Sequence, residues 1–242
     1  MTGAPRPLVL VGAGGFARET VQLVRRYAAV GPAGESYAVA GFLDDDPRRI
    51  GTLVDGTPVL GPCEDARDHA ERGAAVLICV GNPTDPTSRR RLAARLALPD
   101  AAFATVVHPL AAVSPDSTLG AGTVLHAGVV LTAAVEVGRH VAVMPHVVLT
   151  HDDVIGDHAT FAAGVRLAGG VVVGDAAYLG AGAVVREGRR IGAGALVGMG
   201  SVVLRDVPPD EVWAGSPARF LRAAVPAAVS VPAPASILED RP

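Results

Sequence analysis

The sequence predicts two unlike domains in series: a small Rossmann-like parallel α/β sheet over residues 1–104, then a parallel β-helix of hexapeptide repeats over 105–208. Three observations predict this. Every sixth residue from Val107 to Val203 is Val, Leu or Ile, with Phe161 the single exception, for 17 positions in a row. The first hundred residues instead alternate short apolar runs with segments of helical spacing. The composition is 50% hydrophobic but only 4% aromatic, with 29 Gly and 19 Pro in 242 residues, which suits tight turns better than a helix bundle.

In chain order, Leu8-Val9-Leu10-Val11 reads as a buried strand that runs into Gly12-Ala13-Gly14-Gly15. Phe16 to Ala29 has helical spacing, with Ala17, Val21, Val24 and Ala28 on one side. A second strand, Tyr37 to Leu43, ends in Asp44-Asp45-Asp46. A short strand near Thr57 to Leu60 and a helix near Pro62 to His69 follow. Ala75 to Val80 is another buried strand, closed by Gly81-Asn82, and Asp85 to Leu96 is helical. Ala102 to Val107 then leads into the repeat. Alternating β and α segments imply a doubly wound parallel sheet.

A period of six fits neither the helical 3.6 nor simple strand alternation. It fits a triangular coil in which each six-residue side points one aliphatic residue inward. Residues four places after each hit are mostly small or β-branched, as at Ser117, Thr123, Val129, Ala159, Ala183 and Ser201. Gly120, Gly138, Gly156, Gly174 and Gly192 add a beat of 18, one corner per turn. Coils stacked at roughly 4.8 Å would bury each aliphatic under its neighbours. Pro208-Pro209 is expected to end the ladder, Ala218 to Ala224 to form a short helix closing the segment 209–224, and 225–242 to be a Pro/Ala-rich tail.

Composition also excludes classes. All 21 basic residues are arginine, so there is no lysine for a pyridoxal-phosphate or aldolase Schiff base or for a standard P-loop. A net charge of −3 gives no general attraction to nucleic acid or anionic membrane. Cys63 and Cys79 are too few for a disulfide framework or a zinc ribbon. With no signal-like start and no apolar run of bilayer length, a cytoplasmic protein without a bound metal is expected.

Ligands of such sheets sit beyond the strand C-termini. Those ends carry Gly12, Gly14, Gly15 and Phe16, then Asp44 and Asp45, then Gly81 and Asn82. The glycines allow backbone N–H groups to approach a phosphate, and an aspartate after the second strand suits a ribose hydroxyl. The loop fits a nucleotide site and a merely tight strand–helix turn equally. Five of the seven histidines fall between His126 and His158. His140 and His158, 18 apart, are expected to stack on adjacent coils and face solvent. His151 differs because Asp152-Asp153 follow it. A histidine oriented by a carboxylate is a general base for neutral pH.

These residues resemble the hexapeptide acyltransferases that acetylate nucleotide-linked 4-amino sugars or sialic acid. The resemblance spans about residues 8–222 and rests on GAGGFARE, GFLDDDP and VGN in the first domain. In the repeat it rests on VVHPLAAVSPDSTLGAGT, HDDVIGDH, LGAGAVV, VGMGSVVLRDVP and AGSPARFL. It implies a left-handed β-helix, a homotrimer, a nucleotide-sugar acceptor on the first domain and acetyl-CoA between neighbouring prisms. It also implies His151 as the base, assisted by Asp152. Gly164, Gly170, Gly182, Gly200, Pro217 and Arg219 become candidate CoA contacts, although corner geometry alone also accounts for the glycines.

Three residues depart from the family pattern. Phe16 replaces a His that helps hold the acceptor, Met144 replaces an Asn, and Thr160 stands where a second His is expected. The expected chemistry is direct transfer, with His151 taking the acceptor proton and a backbone N–H near Gly169-Gly170 holding the oxyanion. Two rivals remain. One is a non-catalytic nucleotide-sugar sensor. The other is a zinc enzyme of the γ-carbonic-anhydrase type using His146 and His151, which has Leu110 where a further ligand is needed.

Overall fold

The structure, a computed structural model, describes residues 4–27, 31–32 and 34–224. The expected tail over 225–242 lies outside the described residues, as does the end of the first expected helix at Ala28 and Ala29.

The first domain contains β1 (Arg6–Val11), α1 (Gly15–Tyr27), β2 (Tyr37–Leu43), β3 (Leu53–Val54), β4 (Thr57–Gly61), α2 (Ala66–Glu71), β5 (Ala75–Ile78) and α3 (Ser88–Leu96). The strand order is β3-β4-β2-β1-β5, parallel except for the β3–β4 hairpin. Leu8 to Val11 are fully buried, as a run of four aliphatics requires of a central strand covered on both faces. On one face Leu8 and Leu10 pack with Ala17, Val21 and Val24 of α1. On the other, Val9 and Val11 pack with Ala66, Leu92 and Leu96. Because β1 lies between β2 and β5, Val11 pairs with both Leu43 and Ile78. The three loops that leave these strands therefore open side by side.

The second domain is a left-handed parallel β-helix of two-residue strands, from β6 (Val106–Val107) through β22 (Val202–Val203), one every six residues. They stack into three faces. The first face begins Ala112–Val113, Val130–Leu131 and Val148–Leu149; the second Thr118–Leu119, Glu136–Val137 and Val154–Ile155. The third begins Val106–Val107, Val124–Leu125 and Ala142–Val143. The hexad aliphatics from Leu125 to Val203 fill the prism with at most 4% exposure, each contributing about 1.5–3 kcal/mol through burial. Val107, Val113 and Leu119 are only partly buried, because no full coil lies beneath them.

Two expectations about the closing segment change. The prolines at 208–209 do not end the sheet: β23 (Glu211–Gly215) pairs in parallel with Leu196–Val197 and adds a rung to the third face. Ala218 to Ala223 is not a helix but β24, antiparallel to β23. Only Ala218 is buried there, so no helical apolar stripe exists to pack, whereas β23 offers an open edge that β24 covers.

The domains meet on the third face. Val106 and Val124 of the prism share the core of β1 and α1. Arg89 of α3, 2% exposed, donates to Val80 O (2.8 Å) and to His158 O (2.9 Å), Ala159 O (3.1 Å) and Thr160 Oγ1 (2.6 Å) of the prism. No described helix is long and apolar enough to cross a membrane.

Candidate active site

The prism has three edges, each with a different population of side chains. His151 lies on the edge between the first and second faces, in the turn from Val148–Leu149 to Val154–Ile155. Asp152 takes the left-handed corner conformation (φ 62°) that Gly170 and Gly188 take one and two coils on. Aspartate tolerates this region better than most residues. The corner turns its carboxylate back to His151, where Asp152 Oδ2 meets Nδ1 at 2.9 Å. With Nδ1–H donating to Asp152, Nε2 carries the lone pair, and both side chains are exposed. The ring lies directly over Gly169, where any Cβ would collide with the imidazole. Gly169 is thus part of the site, and the step of 18 from His151 is the signal that marks it. Gly170 N–H is committed to His151 O at 2.8 Å.

Beneath this corner is Asp153, fully buried inside the prism. It occupies the inward hexad place that Ser117 and Val129 take elsewhere, a signal present in the repeat spacing. Its Oδ2 accepts from Thr150 N–H and its Oδ1 from Val171 N–H, both at 2.8 Å. Burial pushes its carboxyl up to about 6.

On the edge between the third and first faces, Gly164, Gly182 and Gly200 form a column, all with φ between 65° and 73°. An added side chain at Gly182 or Gly200 meets nothing of the fold, so this edge is a smooth open track. Pro217 and Arg219 are exposed nearer its end, and Arg219 donates to its own neighbour Ala218 O. Gly170 is open too, but on the His151 edge.

The loops that leave β1, β2 and β5, the candidate acceptor loops, open side by side but differ in what they hold. Gly12 (φ 102°) is obligatory, because a Cβ would stand 3.0 Å from Cys79 O and Val80 Cγ2. Gly14 and Gly15 face open space. Asp44 braces the glycine loop, accepting from Ala13 N–H at 2.9 Å. Asp45 ties its loop to Cys63 N–H (2.9 Å) after β4 and to Arg95 (2.6 Å) of α3, whereas Asn82 braces Thr84 of its own loop. Phe16 is half-buried, with its ring 6.1 Å from that of His126 on the prism. An open cavity of about 350 Å³ beside it is lined by Glu19, Gln22, His108, Leu110, His126 and Pro145, among others.

The edge between the second and third faces corrects an expectation. His140 and His158 do stack, with centroids 5.1 Å apart and planes within 5°, but they are buried, not solvent-facing. Phe103 of the first domain sits edge-on to His140, and burial lowers both imidazoles to about 4. The docked domain covers this edge, which hexad spacing does not reveal. Arg89 was hidden for the same reason, as one of three consecutive arginines. Thr160 accepts from Arg89, so the place of the family's second His belongs here to the domain joint. Among the described residues no three His, Cys, Asp or Glu form a group able to hold a metal ion.

The chain has clear relatives. Residues 7–96 match the family described as PglD N-terminal domain. PerB, the perosamine N-acetyltransferase of Caulobacter crescentus, solved with CoA and GDP-perosamine, is 32% identical over 90% of this chain and 98% of its own, with a TM-score of 0.76. The acetyltransferase domain of PglB from Neisseria gonorrhoeae, solved with acetyl coenzyme A, is 27% identical over 90% of this chain and 100% of its own, also at 0.76. WeeI from Acinetobacter baumannii is 29% identical over 89% and 100%, at 0.73. No curated protein matches the chain.

Proposed function

The chain belongs to the hexapeptide-repeat sugar acyltransferase family and is an acetyl-CoA-dependent acetyltransferase; from that premise we propose that it acetylates an amine or hydroxyl of a nucleotide-linked sugar, with His151 as general base. The observation that carries the reading is the exposed His151–Asp152 pair lying over Gly169. The acceptor nitrogen or oxygen attacks the thioester carbonyl carbon while His151 Nε2 takes its proton and Asp152 steadies the imidazolium. Collapse of the tetrahedral intermediate breaks the C–S bond, and the departing CoA sulfur recovers the proton from His151. Because Gly170 N–H is already engaged, the oxyanion donor we assign is Gly169 N–H.

A homotrimer with shared sites accompanies this reading. The acceptor loops flank the edge with His126, whereas His151 stands on the edge opposite the face that carries the first domain. The base of one copy therefore serves the loops of the next. The open column Gly164, Gly182, Gly200 suits a pantetheine arm, and Arg219 a CoA phosphate.

The test is CoA-thiol release from acetyl-CoA against nucleotide 4-amino and 3-amino sugars, beside His151→Ala. Turnover with one acceptor, lowered about 10²–10⁴-fold in the variant, is the expected result. Nucleotide-sugar binding without any CoA binding would overturn the enzyme reading in favour of a sensor.

A further inference from the structure

The prism interior contains one carboxylate that the transfer reaction as described does not use. Asp153 occupies an inward position whose equivalents one coil before and after are Val135 and Val171. Two coils before, the same column holds Ser117, and its hydroxyl accepts from Val135 N–H at 3.1 Å. Asp153 Oδ1 makes the corresponding bond to Val171 N–H. On another edge Thr123 does the same for Val141 N–H at 3.1 Å. The fold thus satisfies this kind of buried N–H with a neutral hydroxyl, at no cost of burying charge. The second oxygen of Asp153 and its negative charge exceed what the coil requires.

Both point to the base. The second oxygen takes the N–H of Thr150, the residue immediately before His151. The first holds Val171, two residues after Gly169, on which the imidazole rests. Among the described residues, the charged groups that act on Asp153 are His151 and Asp152, from its own corner; Val135 and Val171 above and below are apolar. We propose that Asp153 is a positioning residue for His151: a buried anion that locks the corner bearing the base to the coil bearing Gly169 and leaves a negative charge beneath the imidazole. This rests on the acetyl-transfer reading for its catalytic consequence, but its effect on His151 exists without turnover.

The experiment uses the full chain as wild type, Asp153→Thr and Asp153→Asn. Threonine is the replacement that the chain itself uses at Thr123, and asparagine preserves the volume, so one variant stands in if the other fails to fold. The His151 ring resonances are compared by NMR in each at one pH, assigned by their absence from His151→Ala, and CoA-thiol release is followed by steady-state kinetics. Freeing the corner is expected to displace and broaden the His151 ring resonances in both variants. Looser placement should lower kcat roughly tenfold or more while KM for acetyl-CoA holds. His151 ring resonances placed in both variants as in wild type would overturn the proposal and leave Asp153 a space-filling residue. A wild type with no turnover on any acceptor would overturn the transfer reading instead, while the NMR comparison still decides the role of Asp153.

Discussion

The imidazole of His151 rests on a position where even a methyl group cannot fit, since a Cβ at Gly169 would collide with Cε1 and Nε2. Gly169 carries no positive φ, so the backbone itself accepts alanine. Gly169→Ala is therefore expected to fold but to push the base out of place, lowering kcat on the order of a hundredfold with the melting temperature little changed. Steady-state kinetics beside a thermal melt checks this. Asp153 makes a second claim at this scale. Its folded carboxyl is raised from 3.8 to about 6, so the native state binds more protons than the unfolded chain between those values. The native state is then favoured below about pH 4 and loses up to about 3 kcal/mol as pH rises to 6. Asp153→Thr should accordingly gain stability relative to wild type at pH 7 and not at pH 4, measured by denaturant unfolding at both. His151 and Asp152 were legible from the sequence because a histidine followed by acids in the middle coils has few structural uses. Asp153 was equally visible by its register but looked like part of the same acidic pair.

Among the elements, the edge between the second and third faces binds the domains together. His140 and His158 have folded values lowered from 6.5 to about 4, so they contribute stability above pH 6.5 and lose it as pH falls through 4. Each is expected to account for about 1–3 kcal/mol of acid sensitivity, and His158→Gln should flatten the fall in stability between pH 6.5 and 4. Arg89 supports the same joint with no carboxylate among its partners. Arg89→Ala removes the donor from Val80 O, His158 O and Thr160 Oγ1, while Ala159 O keeps its bond from Ala142 N–H, and should cost about 2–4 kcal/mol in chemical unfolding. The strands themselves were readable, since a strict period of six admits one geometry. Orientation at the corners was not: a histidine two residues past a corner glycine faces solvent on a bare prism and is buried once Phe103 docks. Likewise, Ala218 to Ala223 reads as a helix until β23 is known to lie open beside it.

At the scale of the whole molecule, the proposed base and the proposed acceptor loops of one chain occupy different sides of the prism. If neighbouring copies complete each other, two inactive chains should restore activity when co-assembled. Gly15→Trp blocks the loop mouth at a position where an added side chain meets nothing of the fold. Co-expressed with His151→Ala, it should give mixed trimers with a measurable fraction of wild-type turnover, while either variant alone gives none. Complete inactivity of mixed trimers, with assembly confirmed by light scattering, would place the whole site within one chain.

The attachment of the first domain by Arg89 to carbonyls and a hydroxyl of the prism also bears on how such enzymes diversify. Three of its four acceptors lie beyond the first domain, two main-chain oxygens and one threonine hydroxyl, groups that many coils can present. The polar part of the joint asks little of the prism's sequence, while Val106, Val124 and His140 supply its packed part. A gene fusion that exchanged residues upstream of the first coil for those of a relative would dock on an unchanged prism, provided the incoming module brought an arginine to this point and the prism kept Thr160, Val106, Val124 and His140.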